Sequence, residues 1–293
     1  MMNTICKLED IDIYLLYYLD IKTILRLITI SKDQNILMFK QVFIKELYTI
    51  VLNYGYTNII DNAAEHNYIT LIKWMSEISH RLPENKFEYV HAINNAIKKG
   101  NIELIEWFAK SEYEFKYMSY AINYAARRGY IDVLEWFHES IYELKYTEYA
   151  IDIAARKGYI DVLEWFDKSI YEFKYSMAAI NNAAEYGQIK VLDWFANSKY
   201  EFKYTSDAIN NAAENGYIEV LEWFDKSKYE FKYTVSAINN AAAYEQIEVL
   251  EWFDKSKYEF KYSYWIKDNA KRNGQMDFLE WFEKYELRNG GKL

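Results

Sequence analysis

The chain has one cysteine, one proline and four histidines among its 293 residues. A lone Cys6 excludes an internal disulfide and fits a reducing compartment. His66, His80, His91 and His138 are scattered, and none has a second His or Cys at metal-ligand spacing. No glycine-rich phosphate loop and no nucleophile motif occurs, so no metal, no cofactor and no catalytic site are expected. Near the N-terminus the longest apolar run, residues 13–19, is far shorter than the roughly 20 residues that cross a bilayer. Glu9, Asp10 and Asp12 stand where a signal peptide carries positive charge. Basic charge is also outweighed: 35 Lys and Arg against 44 Asp and Glu leave a net charge of −9. Nucleic acid is therefore not an expected partner, because its binding needs a concentrated basic surface. A soluble intracellular protein, in the cytoplasm and without membrane contact, is the expectation.

Repetition is what the chain has in excess. Trp107, Trp136, Trp165, Trp194, Trp223, Trp252 and Trp281 follow one another at intervals of 29 residues, and Trp74 precedes them by 33. A fixed period of roughly 20 to 50 residues marks a solenoid, in which each unit buries its apolar face against its neighbours. In the copy around Trp252, Ala237, Ile238, Ala241 and Ala242 share one face of a first helix, small enough for another helix to come close. Thr234 precedes that helix as an N-cap, with Thr205, Ser176, Thr147 and Ser263 in the same place in other copies. Gly100, Gly129, Gly158, Gly187, Gly216 and Gly274 end the first helix, and Asn67 and Glu245 take that position in the other two copies.

A second helix follows. In the Trp223 copy its apolar stripe is Ile218, Val220, Leu221 and Phe224, with Glu219 and Glu222 turned away and Lys226 near the end, as the helix dipole favours. Each Trp is expected to pack between neighbouring second helices. In the connector, Tyr229, Phe231 and Tyr233 alternate with Glu230 and Lys232, the pattern of an extended segment with its rings on one side. Those rings are expected to serve the core. Many Tyr, Ile, Asn and Lys beside a single Pro also match what an AT-rich genome produces, so 30 Tyr do not by themselves imply a ligand.

Residues 1–50 differ. Leu15, Leu16 and Leu19, then Ile24, Leu25, Leu27 and Ile28, then Ile36, Leu37, Phe43, Ile44 and Leu47 suggest three short amphipathic helices, with Asp20 and Ser31 at N-cap positions. They would cap the solenoid. The stretch from Leu8 to Lys32 also resembles an F-box: Leu8, Leu16 and Leu19 precede an acidic turn at Asp20, and Leu25, Leu27 and Ile30 precede Ser31 and Lys32. Glu9 stands where that family has Pro, and no Trp follows Lys32. The resemblance implies that Leu8, Leu16 and Leu19 bind a Skp-family adaptor of a cullin ubiquitin ligase. Cap and F-box both remain open.

Helix, Gly, helix and connector, with A-I-N-N-A-A before the Gly and I-x-V-L-x-W-F after it, resemble the ankyrin repeat over residues 53–286. The form is similar to that abundant in giant DNA viruses of amoebae. The family's T-P pair is absent, and its His is replaced by Asp61, Asn94, Asn123, Asp152, Asn181, Asn210, Asn239 and Asp268. Short polar side chains at that place read as a buried ladder that fixes the stacking. The period is shorter than the family's 33 or so, and the missing residues fall in the connector, where ankyrin repeats project a β-hairpin. A short finger or none is expected, except in the Trp74–Trp107 interval, which contains Pro83. The expected fold is all-α: an ankyrin-like helix-turn-helix solenoid of about eight shortened repeats over residues 51–287, a small N-terminal helical domain, and a flexible tail at residues 288–293. A monomer is expected, and the viral resemblance implies host proteins as partners in the host cytoplasm.

Recognition is then the expected function. Positions just before the helix-ending residue change from copy to copy: Lys98 and Lys99, Arg127 and Arg128, Arg156 and Lys157, then Glu185 and Tyr186, Glu214 and Asn215, Ala243 and Tyr244. Stacked in register they would form a ridge, basic in its first half and acidic to neutral in its second. Helix starts vary too, with His91, Tyr120, Tyr149, Ala178, Asp207, Ser236 and Trp265 in one column. Matching positions of ankyrin arrays contact partners, so a protein with an acidic patch is expected against Lys98 to Lys157. The alternatives are a scaffold whose ridge is merely solvated, and an enzyme whose cleft gathers perturbed carboxylates.

Overall fold

A computed structural model describes residues 56–67 and 89–290, with residues 69, 72, 73 and 76 between them. Fifteen helices and no strand occur among the described residues. In chain order the helices are α1 (Tyr56–Glu65), α2 (Val90–Lys99), α3 (Ile102–Lys110), α4 (Ser119–Arg128), α5 (Ile131–Glu139), α6 (Tyr149–Lys157), α7 (Ile160–Lys168), α8 (Ala178–Glu185), α9 (Ile189–Asn197), α10 (Asp207–Glu214), α11 (Ile218–Lys226), α12 (Val235–Ala243), α13 (Ile247–Lys255), α14 (Ile266–Asn273) and α15 (Met276–Arg288). The expected all-α fold of helix-turn-helix repeats is the one that forms. The chain divides into two compact units, Met1–Ala125 with Asp132–Lys145, and Ala126–Ile131 with Tyr146–Leu293. The segment expected to form N-terminal helices, with Leu8, Leu16 and Leu19, and the connector sequence with Pro83 lie outside the described residues.

In the first unit α2 packs on α1 and α3. In the second unit the first helices α6, α8, α10, α12 and α14 pack on one another in order, and the second helices α7, α9, α11, α13 and α15 do the same. The alanine face explains the close approach: Ala179, Ile180, Ala183 and Ala184 of α8 are wholly buried, as are Ala208, Ile209, Ala212 and Ala213 of α10. Second helices contribute Val191, Leu192 and Phe195, then Val220, Leu221 and Phe224, and each such side chain stabilises the stack by about 1.5–3 kcal/mol on burial.

Each first helix stops as the glycines require. Gly187 has φ +67°, its N–H donates to Ala184 O at 3.2 Å, and Gln188 N–H donates to Ala183 O at 2.8 Å. A Cβ on Gly187 would also lie 2.8 Å from the Tyr217 ring of the next repeat, so the position needs Gly for conformation and for space. Asn67 and Glu245, the two exceptions, also take positive φ. At the other end, the hydroxyls of Thr147, Ser176, Thr205 and Thr234 each accept a backbone N–H two residues on, from Tyr149, Ala178, Asp207 and Ser236. For α6, α8 and α10 the cap acts through a turn, because the helix begins a residue later than the sequence pattern implies.

In the second unit the polar ladder stitches α6, α8, α10 and α12 to the next repeat. Asn210 Oδ1 accepts Thr234 N–H at 3.0 Å while its amide donates to Thr234 Oγ1 at 3.0 Å. Asn181 does the same with Thr205, and Asp152 accepts both Ser176 N–H at 2.9 Å and the Ser176 hydroxyl at 2.6 Å. Asp268, the ladder residue of α14, is exposed rather than buried as expected.

Connectors form no hairpin among the described residues, and they are not simply extended. Lys174, Lys203, Lys232 and Lys261 each donate their N–H to the Glu two residues earlier, a tight three-residue turn about the Phe. That turn stacks the rings. Phe202 lies 4.0 Å from Tyr229 of the next connector at 16°, and Trp223 lies 6.1 Å from the same Tyr at 13°. The Trp thus packs mainly on connector rings, while its Nε1 reaches Asp193 of the neighbouring second helix at 2.6 Å. Aromatic pairs of this kind add about 0.5–1.5 kcal/mol each beyond burial.

The repeat around Trp281 departs from the others. Lys267 and Lys271 stand where Ile238 and Ala242 stand one copy earlier. α15 runs on to Arg288, into the segment expected as tail; its Tyr285 stacks on Trp281 at 5.5 Å, and Arg288 pairs with Asp254 at 3.0 Å. These groups occupy the roles that Tyr258 and Lys257 play for Trp252 and Asp225.

Candidate functional site

The variable positions lie at the two ends of the first helices, seven or eight residues apart and so on one helical face, with Tyr186, Asn215 and Tyr244 at C-caps and Trp265 at an N-cap. In the first unit, His91 and Lys99 are exposed, and Lys99 approaches Glu65 at 4.0 Å. Lys98 is half-buried with its ammonium 5.0 Å from the Tyr124 ring centre. Tyr120 is also half-buried, and its hydroxyl accepts from Asn94 at 2.9 Å. A cavity of about 440 Å³ lies beside the first turn, lined by Glu65, His66, Asn67 and Lys99 to Ile102.

In the second unit the two members of each pair behave differently. Arg128, Lys157, Tyr186, Asn215 and Tyr244 are exposed, Tyr244 by 63 %. Arg127, Arg156, Glu185 and Glu214 are half-buried. Arg156 stacks its guanidinium 4.3 Å from the Tyr186 ring centre and donates to that hydroxyl. Glu185 accepts from Asn211 at 3.3 Å and Glu214 from Asn240 at 2.7 Å. The helix starts Tyr149, Asp207 and Trp265 are exposed, and Trp265 stacks on exposed Tyr264 at 4.0 Å.

Asn182, Asn211 and Asn240, half-buried one turn before each variable pair, are a column that the sequence reading passed over. They follow directly on the ladder residues Asn181, Asn210 and Asn239, and the repeated Asn-Asn hides two roles in one motif. The first Asn faces into the stack and the second faces out with the ridge.

Perturbed acids belong mostly to the framework. Burial pushes Asp61 up to about 6 against the opposing pull of His91, and burial raises Asp152 although its bonds to Ser176 work the other way. Lys199 holds Asp167, and Lys257 holds Asp225, below the usual carboxylate range. Among the described residues no group of three or more His, Cys, Asp and Glu could hold a metal ion, and no helix is long and apolar enough to cross a membrane. Compared with known proteins, the chain matches no family model and no curated protein.

Proposed function

We propose that this chain is a non-catalytic protein-binding module of ankyrin-like repeats, which holds its partner on the first-helix face. The observation that carries the reading is the division of labour in the second unit. Framework positions such as Ala183, Ala212 and Ala241 repeat unchanged and buried, whereas Arg128, Lys157, Tyr186, Asn215 and Tyr244 differ in charge and size and stand in solvent. Exposed side chains on a rigid scaffold recognise partners without disturbing the core. The basic members, Arg128 and Lys157, favour an acidic patch on the partner. The test is affinity capture from a eukaryotic lysate with the full chain and with its R128E/K157E variant. Proteins retained by the parent at low salt and lost from the variant support the reading; identical sets of captured proteins overturn it.

A second role follows from the F-box-like pattern of Leu8, Leu16 and Leu19, which would make the protein a substrate receptor of a cullin ubiquitin ligase, acting on host proteins if it is viral. Co-purification of a Skp-family adaptor with the full chain, abolished by L16A/L19A, is the expected result. Without adaptor in either sample, the segment is a cap and the protein a scaffold.

A further inference from the structure

We infer that the first-helix face of the second unit takes an extended peptide segment whose charge changes sign along its length, acidic against Arg128 and Lys157 and basic against Glu185, Asp207 and Glu214. The inference rests on the protein-binding reading and specifies the ligand class. Its first support is the distribution of charge. α4 and α6 end on Arg127-Arg128 and Arg156-Lys157, whereas α8, α10 and α12 contain no Lys or Arg at all, and their charged residues are Glu185, Asp207 and Glu214. A ligand of one sign lying along α4 to α10 would gain at one part of this stretch and be repelled at the other, and α14 adds Lys267, Lys271 and Arg272 beyond it.

The joint between the halves is fixed. Arg156 is held over the Tyr186 ring, which leaves exposed Lys157 and Arg128 as the cations free to meet an incoming carboxylate. On the acidic side, Asn211 and Asn240 orient Glu185 and Glu214 from the following repeat, so these carboxylates are positioned before any ligand arrives. Each bond uses one amide proton and one carboxylate oxygen. The amide oxygen and second proton of Asn211 and Asn240 remain for a ligand, and an amide that both donates and accepts suits a peptide backbone.

Spacing favours an extended ligand. Packed helices lie about 8–10 Å apart, and an extended or polyproline-II chain advances about 3.1–3.4 Å per residue. About three ligand residues therefore pass each repeat, and a ligand with three residues per turn presents the same face to each of Asn182, Asn211 and Asn240 in succession. Across these repeats its charges fall into blocks.

Two fluorescent synthetic peptides of identical composition test this, each titrated into the full chain at low salt and followed by anisotropy. One carries a Glu block and a Lys block separated by Gly and Ser, and the other alternates Glu and Lys. The block peptide is expected to bind about tenfold more tightly. R128E/K157E should remove most of that preference, while E219K, an exposed charge change on the second helix α11, should leave it intact. Equal affinities for the two peptides, or no binding of either, overturn the inference. Neither result bears on the lysate capture, so the two ideas fail separately.

Discussion

The carboxylate of Glu245 accepts the backbone N–H of Asp277 at 3.1 Å, across a full repeat. Glu245 sits with φ +53° at a position where six copies have Gly, a conformation that a side chain occupies at a cost. Its side chain offsets that cost by capping the N-terminus of α15, whose own N-cap, Gln275, makes no side-chain capping bond. E245A keeps the strain and loses the cap, so it should lose about 1 kcal/mol. E245G loses both together and should stay within about 0.5 kcal/mol of the parent. Urea unfolding gives the ranking, and hydrogen exchange at the Asp277 amide should speed up in both variants. An E245G protein as unstable as E245A would contradict the strain half of the account.

Asn210 and Thr234 form the best-defined rung of the ladder, with both partners of the Asn side chain on one residue. N210A leaves the Thr234 N–H without its acceptor and should cost about 1–3 kcal/mol. T234V removes only the hydroxyl and should cost less. A double-mutant cycle should show a clear coupling energy, since the second change finds its partner already gone. Asp152 is the natural version of the rung, so N210D should be milder than N210A, more so at acidic pH. Additive losses would show that the two side chains do not act through one another.

Much of this was legible in advance because single side chains dictate backbone. Positive φ at Gly187, a hydroxyl at Thr234 and an amide at Asn210 each specify a local geometry, and the recurring Trp sets the period. The outward column Asn182, Asn211 and Asn240 was hidden by its invariance, which made a surface position look like framework. The tight turns at Phe173 and Phe202 were hidden because alternating aromatic residues give the same pattern in a strand. The departure of α14 was written in Lys267 and Lys271, but Trp281 kept its place and disguised that copy as an ordinary one.

Stacked connectors carry a second ladder. The hydroxyls of Tyr146, Tyr175, Tyr204 and Tyr233 donate to the carbonyls of Glu172, Glu201, Glu230 and Glu259, and a Lys of the next connector lies over each ring. Burial pushes Tyr146 and Tyr204 up to about 12. The folded state then keeps protons that an unfolded chain gives up from pH 10.0. This stabilisation is fully present below pH 10.0 and is lost as pH rises towards about 12. Urea midpoints should fall steeply across that window. Y146F/Y204F should be less stable at neutral pH by about 1 kcal/mol per lost bond and should flatten the alkaline slope. An unchanged slope would locate the alkaline sensitivity elsewhere.

The repeat around Trp281 makes its own prediction, because α14 departs from the internal pattern on its packing face. In α12 the positions of Ile238 and Ala242 are buried. In α14 the corresponding Lys267 and Lys271 turn that face polar, and Lys267 is fixed over the end of the core by its pair with Glu286 at 2.8 Å. Exposed apolar faces of this size recruit other surfaces, and a polar face prevents it. K267I/K271A restores the internal pattern and should make the protein associate in a concentration-dependent way. Sedimentation velocity of both proteins over a concentration series would reveal it as a rising average mass in the variant alone. A variant that stays at the parental mass throughout would mean that the remaining features of this repeat, exposed Asp268 and the Tyr285 and Arg288 contacts, are sufficient to prevent association without the two lysines.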